Sequence, residues 1–496
     1  MNAAPAEAVR PSGTVAQMPV LGGAERFFGH NRVVASDRRA FLERIVREAP
    51  AGSPGCLRFV ASGPDVVIVN DPHLLQEVLI DKAKSFDKSL ILKYALEPLG
   101  GEGLFTSDGE LWRRQRKWMA PLFHPKRLES YGDAMVAVTK RAISDWKDGE
   151  TRLIHRDTTR IAMSIAGKTL FDADTFGEAD EIGHALSDAL DWTSANSPSV
   201  LALLQIIGGR RLQRFGEARP GAFGERLSKA GLAFQKPRFF PGKQGKKLVA
   251  AIELLDARVQ RMIDERRAAA TRGTPPNDLL SQLLTAHDEG EGRMSDRQVR
   301  DEILTLFVAG HETTASGLAW TLALLGQHPE ILRAVVAEVD ALPGDPTVAD
   351  LPRLGLTLRV FKEALRLYPP VFLFGRAANE AVTLGGWTLK QDTALILSPW
   401  TIHRRADLWP DPERFDPDRF LPEHEAGRPK TAYLPFGAGP RVCIGNHFAM
   451  MEAQLVLAML LRRFHFALPS PDRSPPLAFG ATLRPADELP LQVHCR

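Results

Sequence analysis

The chain has 496 residues, 44% of them hydrophobic and 25% charged, with a formal net charge of +3. This is a globular composition, long enough to bury a large core and a large cofactor, and its charge balance gives no reason to expect a nucleic-acid partner. Three cysteines, Cys56, Cys443 and Cys495, are too few and too scattered for a disulfide framework, which fits a reducing compartment.

Length alone suggests several domains, but no Ser/Gly tract, low-complexity run or internal repeat divides the chain. Residues 1–40 read as an N-terminal extension and 41–496 as one domain. Met1 to Val20 hold no apolar run long enough for a signal peptide or a membrane span, so a cytoplasmic protein is expected. Residues 57–60 and the β-branched run Val66-Val67-Ile68-Val69 predict two strands, followed by a helix from Asp71. From about residue 130 to 330 apolar residues recur at helical spacing, as at Leu248, Ile252, Leu255 and Val259. Asp296 is a candidate cap for a long helix reaching Leu325. A helix over 356–368 stops at Pro369-Pro370; short strands follow between 371 and 400, then a proline-rich meander from Trp409 to Pro422. The fold class is mainly α with a minor β region.

The most informative segment is Phe436-Gly437-Ala438-Gly439-Pro440-Arg441-Val442-Cys443-Ile444-Gly445. Its glycines and proline fix a tight backbone path, and a helix beginning near Asn446 would favour thiolate over thiol at Cys443. Such a thiolate is a strong axial ligand for haem iron; a structural cysteine in a turn is the bland alternative. Upstream, Ala309-Gly310-His311-Glu312-Thr313-Thr314 sits in the long helix. Glycine and paired threonines are poor helix formers, and threonine hydroxyls compete for carbonyls of the preceding turn. A locally bent or opened helix is therefore expected there. An acid beside an alcohol can relay protons; a polar stripe facing water is the other reading.

Together these motifs resemble the cytochrome P-450 superfamily, the haem-thiolate monooxygenases, over nearly the whole chain. The resemblance implies the P-450 fold around haem b, with Cys443 as iron ligand. It makes Thr313 the alcohol on the oxygen-binding side and Glu312 the acid linking it to solvent, with His311 structural. Trp112, Arg116, Arg376 and Arg441 would contact the haem propionates, and Phe436 and Gly437 the ring. Glu363, Arg366 and Arg414 would form a buried ion network bracing the cysteine loop. Leu90, Ile91, Leu306, Phe307, Ala309, Val371, Phe372, Leu373 and Thr482 would line an apolar pocket, although each could equally be core. Such a pocket suits a fatty acyl, terpenoid or polyketide-like substrate, to be hydroxylated or epoxidised.

Eukaryotic members usually begin with a membrane anchor, so a soluble bacterial-type monomer is implied. After Cys443 only 53 residues remain, room for a helix and a hairpin but no flavin or iron–sulfur domain. Electrons would come from a ferredoxin or flavodoxin with an NAD(P)H-dependent reductase, drawn by Arg113, Arg114, Lys117, Lys126 and Arg127. Two rivals share the fold: a peroxygenase or isomerase needing no O2, and a non-catalytic haem sensor. The segment 208–247 reads as a long lid loop, with eleven basic residues against Glu217 and Glu225 and interleaved phenylalanines. It suggests either peripheral contact with the inner membrane surface or a solvated loop.

Overall fold

The computed structural model describes residues 13–25, 29–49, 52–58, 65–196, 200–237, 240, 242–273, 278–285, 287–288, 292–470 and 474–496. The chain falls into two compact units, one of residues 1–90, 372–414 and 427–443, the other of residues 91–371, 415–426 and 444–496.

The first unit is built on a five-stranded sheet. Its strands are β1 (Gly55–Arg58), β2 (Asp65–Val69), β3 (Phe86–Lys88), β4 (Phe374–Ala378) and β5 (Ala394–Leu397), in the order β1-β2-β5-β4-β3. The run expected at 57–60 is thus a strand two residues earlier, and Phe59 and Val60 lie outside the described residues. Only the β2–β5 pair is parallel among these strands, with Val67 opposite Leu395 and Val69 opposite Leu397. All four of those side chains are buried, together with Leu74, Leu75, Val78 and Leu434. Asp71 caps the helix Pro72–Gln76 through the amides of His73 and Leu74, as its position before a proline favours.

The second unit is helical. Its principal helices are α1 (Leu90–Gly100, whose first residue belongs to the other unit), α2 (Gly109–Met119), α3 (Ile154–Phe171), α4 (Val200–Glu217), α5 (Ala222–Phe234), α6 (Gly242–Arg272), α7 (Asp296–Gln327), α8 (Gly355–Leu367) and α9 (Asn446–Arg463). The cap of α7 is Ser295, not Asp296. Ser295 and Gln298 form a reciprocal capping box, whereas Asp296 turns to Arg267, where its carboxylate accepts from Nη1 at 2.9 Å. A hydroxyl reaches back over the first turn more readily than a carboxylate already engaged by a guanidinium. The expected loop over 208–247 is instead α4, α5 and the start of α6.

Helix α7 packs along α3. The Thr158 hydroxyl donates to the Ala315 carbonyl at 3.0 Å, and the Phe171 and Phe307 rings lie 4.8 Å apart. On another side Gly317 admits the ring of Phe361 from α8, where a Cβ would come within 3.0 Å of it.

Glu363 and Arg366 share one face of α8 at i and i+3, and both side chains are 0% exposed. Arg366 donates to both carboxylate oxygens, at 2.7 and 2.8 Å, and the Asp416 amide donates to Glu363 at 2.9 Å. Burial pushes the Glu363 carboxyl up, and Arg366, the Asp416 amide and Arg419 pull against it. Arg419, which sequence reasoning did not single out, lies 3.4 Å from Glu363. Arg414, the expected third member, belongs to the other unit.

Glu363→Ala should strand the Arg366 charge in a dry interior and cost about 3–5 kcal/mol. Thermal unfolding of the variant against the parent protein checks this. A midpoint equal to the parent's would show that the pair does not carry that weight.

Candidate functional site

In the first unit, the residues before Cys443 turn sharply. Gly437 and Gly439 both adopt φ of +71°, a region open to glycine and costly for other residues. Gly439 has a second reason to be glycine, because a Cβ there would sit 1.9 Å from the Leu79 carbonyl oxygen. The Gly439–Arg441 segment closes a short helical turn, and the Cys443 amide donates back to the Phe436 carbonyl at 2.9 Å. That bond ties the two ends of the loop together and presents Cys443 with its side chain exposed. No residue from 435 to 447 is fully buried, although Phe436, Val442 and Ile444 are apolar.

Arg441 pairs with Asp87 at 3.2 Å, and Arg376 lies over the Phe374 ring at 5.1 Å with one donor on the Gly375 carbonyl. Both arginines are half-buried. Ser398 donates to the Phe372 carbonyl at 2.7 Å; the Phe372 side chain is buried, while Leu90 and Leu373 are half-buried.

In the second unit, α7 carries the other half of the expected site. From Asp301 to Leu325 every residue is buried except Val308, Ala309, Gly310 and Thr313. Those positions lie on one side of the helix, since i and i+4 are neighbours across a turn. Thr313 donates to the Ala309 carbonyl at 2.7 Å, the expected competition for a backbone acceptor. Helix α7 nevertheless runs unbroken, so the expected opening is corrected: one shared carbonyl is too weak a perturbation in a helix held by packing on its other sides.

Glu312 points away from that window into a polar cluster. The Thr482 hydroxyl donates to Glu312 Oε1 at 2.8 Å, Arg484 Nη1 lies 3.7 Å from the same oxygen, and His311 Nε2 lies 3.8 Å from Oε2. Arg484 also donates to the more exposed Asp191 at 3.3 Å. A chain of polar groups therefore leads from the buried acid toward water. Burial opposes ionisation of Glu312, while His311, His155, Arg484 and Thr482 favour it, and the balance lies below the ordinary carboxyl value. Burial pushes His311 and His155 down. Where they are neutral, Arg484 and Thr482 are the groups that hold the charge. His311 is fully enclosed, with Nδ1 on the Phe307 carbonyl at 2.5 Å, as suits a structural residue. Thr482, expected in the pocket, donates its hydroxyl hydrogen to Glu312. Arg484, on the strand Leu483–Pro485 just after Thr482, was missed.

Trp112 and Arg116 stand one turn apart on α2, both half-buried. On the same helix Arg113 pairs with Glu110 and Arg114 lies over Trp118, while Lys117 and, beyond the helix, Lys126 are exposed. Ile91 and Val371 are half-buried and Leu306 is buried; Phe307 packs into the core against Phe171.

Each unit by itself presents features that suit a flat, hydrophobic, iron-bearing ring with acidic arms: the first a cysteine at the end of a fixed loop and the half-buried Arg376 and Arg441, the second a partly exposed window in an otherwise enclosed helix and the half-buried Trp112 and Arg116.

The comparisons with known proteins agree. The family model for cytochrome P-450 matches residues 54–492. The chain is 34% identical to cyclooctatin synthase of Streptomyces melanosporofaciens over 95% of this chain and 93% of that one. It is 31% identical to pentalenene oxygenase of Streptomyces avermitilis over 84% of each. The crystal structure of the cytochrome P-450DA heme domain superposes with a TM-score of 0.77 at 27% identity, covering 97% of this chain and 98% of that chain. The chain belongs to the cytochrome P-450 family and is a haem b monooxygenase ligated by a cysteine thiolate.

Proposed function

We propose that the protein hydroxylates or epoxidises a lipophilic, terpenoid-like hydrocarbon, with Cys443 as the iron ligand. The observation that carries the assignment is the Gly437–Cys443 turn: of the three cysteines, Cys443 alone stands at the end of a loop that glycine φ angles and a backbone hydrogen bond hold in place. Haem, when bound, supplies the reductive activation of O2.

The chain's own residues take three parts. Trp112, Arg116, Arg376 and Arg441 would hold the propionates by charge-assisted hydrogen bonds, and Phe436 and Gly437 the ring. Thr313 would offer its hydroxyl toward the window on α7, and Glu312, held as a carboxylate by Arg484 and Thr482, would be the acid that links it to solvent. Leu90, Ile91, Leu306, Ala309, Val371 and Leu373 would give the substrate an apolar wall. Residues 41–496 form the haem-bearing domain on this reading. The relatives' names point to the substrate class, since pentalenene oxygenase and cyclooctat-9-en-7-ol 5-monooxygenase are named for an alkene and an unsaturated alcohol. Electrons would come from an acidic ferredoxin or flavodoxin served by an NAD(P)H-dependent reductase. It would be attracted by Arg113, Arg114, Lys117, Lys126 and Arg127, so the reduction rate should fall as salt rises.

Reduced protein exposed to carbon monoxide should give the red-shifted absorption of thiolate ligation, and Cys443→Ser should lose it. A Cys443→Ser spectrum unchanged from the parent would overturn the ligand assignment. Thr313→Ala should keep consuming oxygen while product per NAD(P)H falls on the order of 10²-fold. Full product formation by that variant with peroxide alone would favour the peroxygenase reading.

The histidines add a pH dependence. Burial holds His155 and His311 below their ordinary value of 6.5, so below that pH the unfolded chain binds more protons than the folded one. Stability should therefore be complete above pH 6.5 and fall as pH drops below it. His155→Gln should flatten this part of a thermal-midpoint profile. A profile identical to that of the parent would show that His155 does not contribute.

A further inference from the structure

The connection between α1 and α2, residues 101–108, belongs to the second unit and lies across the early turns of α7. Three consecutive residues of α7 reach it or the helix end before it. Arg300 donates to the Leu99 carbonyl, the Glu102 amide donates to Asp301 Oδ2 and the Leu104 amide donates to Glu302 Oε2, each at 2.9 Å. Gly103, between the two donors, lies against the helix itself. A Cβ there would sit 2.3 Å from Thr305 Oγ1 and 2.7 Å from the Asp301 carbonyl oxygen. From α2, Gln115 donates to the Glu102 carbonyl at 2.7 Å.

Asp301 and Glu302 are 3% and 0% exposed. An apolar side chain would fill such positions without the cost of burying a carboxylate. What a carboxylate adds is direction, because its charge-assisted bond fixes one N–H at one place. Two such bonds on alternate amides set both the height and the register of the segment. Its placement matters because Asp301, Thr305, Ala309 and Thr313 follow at four-residue steps and so share one side of α7. The connection covers that side at Asp301 and Thr305, and the side opens at Ala309 and Thr313. Leu104, half-buried, carries the second fixed amide, and the exposed Phe105 follows it.

We propose that Asp301 and Glu302 are positioning residues for the substrate site. They hold Leu104 and Phe105 as an apolar wall beside the Ala309–Thr313 window, and that wall discriminates between ligands by size. The inference rests on the reading of that window as the side that faces substrate. Neither acid touches the reacting atoms; each acts through the backbone that it holds.

Titration of the holoenzyme with imidazole and with 4-phenylimidazole, followed by the Soret shift on nitrogen ligation, tests it. Both bring the same nitrogen to the iron, and only the second carries a ring that must meet the wall. Glu302→Ala should weaken 4-phenylimidazole about tenfold and imidazole less than about twofold. Glu302→Gln keeps a carbonyl oxygen for the Leu104 amide, so both ligands should stay within about twofold of the parent. Gly103→Ala leaves both acids in place but pushes the segment off α7, and should reproduce the selective loss. Hydrogen exchange should agree, with the amides of residues 102–107 faster in Glu302→Ala and Gly103→Ala and at the parent's rate in Glu302→Gln. Should Glu302→Ala not take up haem, the other two variants decide by the same criteria. An equal change for both ligands, no change for either, or a glutamine variant as weak as the alanine variant overturns the proposal alone. No Soret shift in the parent protein would overturn the haem-site reading and this proposal with it.

Discussion

The Cys443 amide donating to the Phe436 carbonyl is the bond on which the reactive half of the first unit depends. A thiolate ligand can be delivered to a metal only if its backbone has nowhere else to go. Here the two glycines at φ +71° and the contact of Gly439 with the Leu79 carbonyl remove the alternatives. A side chain at 439 would have to displace main chain rather than a flexible tip, so the loop is set by steric exclusion as well as by hydrogen bonding. The cost of such backbone is met by the packing beneath it, where Leu79 belongs to the same buried cluster as the central strands.

The second unit solves a different problem, that of keeping charge in a dry interior. Glu312 and Glu363 are both enclosed, and both have arginine nearby, yet they shift in opposite directions. Glu363 has a bidentate Arg366, but burial of both partners dominates and its carboxyl moves up. Glu312 has only the more distant Arg484 with Thr482 and two histidines, and its carboxyl moves down. The difference suits the roles proposed for them. A brace needs a pair whose removal is costly, whereas a proton carrier needs contact with a group that itself reaches water, as Arg484 does through Asp191.

The parts legible in the sequence are those where local chemistry and tertiary role coincide. The glycine-bent cysteine loop, the Thr313 back-bond to Ala309 and the Glu363–Arg366 pair all join residues within a few positions of each other. What stayed hidden depends on partners far apart in the chain. Arg419 reaches Glu363 across 56 residues and Arg484 reaches Glu312 across 172, and no local spacing announces either. The segment 208–247 misled for the opposite reason. Its basic residues and interleaved phenylalanines read as a lid loop, whereas its glycines, placed seven residues apart, allow the two helices α4 and α5 to close on each other.

That seam also explains why the hairpin can expose so much apolar surface without collapsing. Two ordinary amphipathic helices bury their large side chains against each other, and the polar faces remain outside. Backbones in contact leave no room between them for leucine or phenylalanine, so the larger residues must occupy the outer faces. Gly216 and Gly224 approach each other beside Phe215 and Phe223, so a close backbone contact and two exposed rings are adjacent in sequence. Exposed rings in that position lose nothing to competing core contacts, and the cations between them oppose self-association in water. Apolar surface kept available in this way gains free energy only when something other than water covers it.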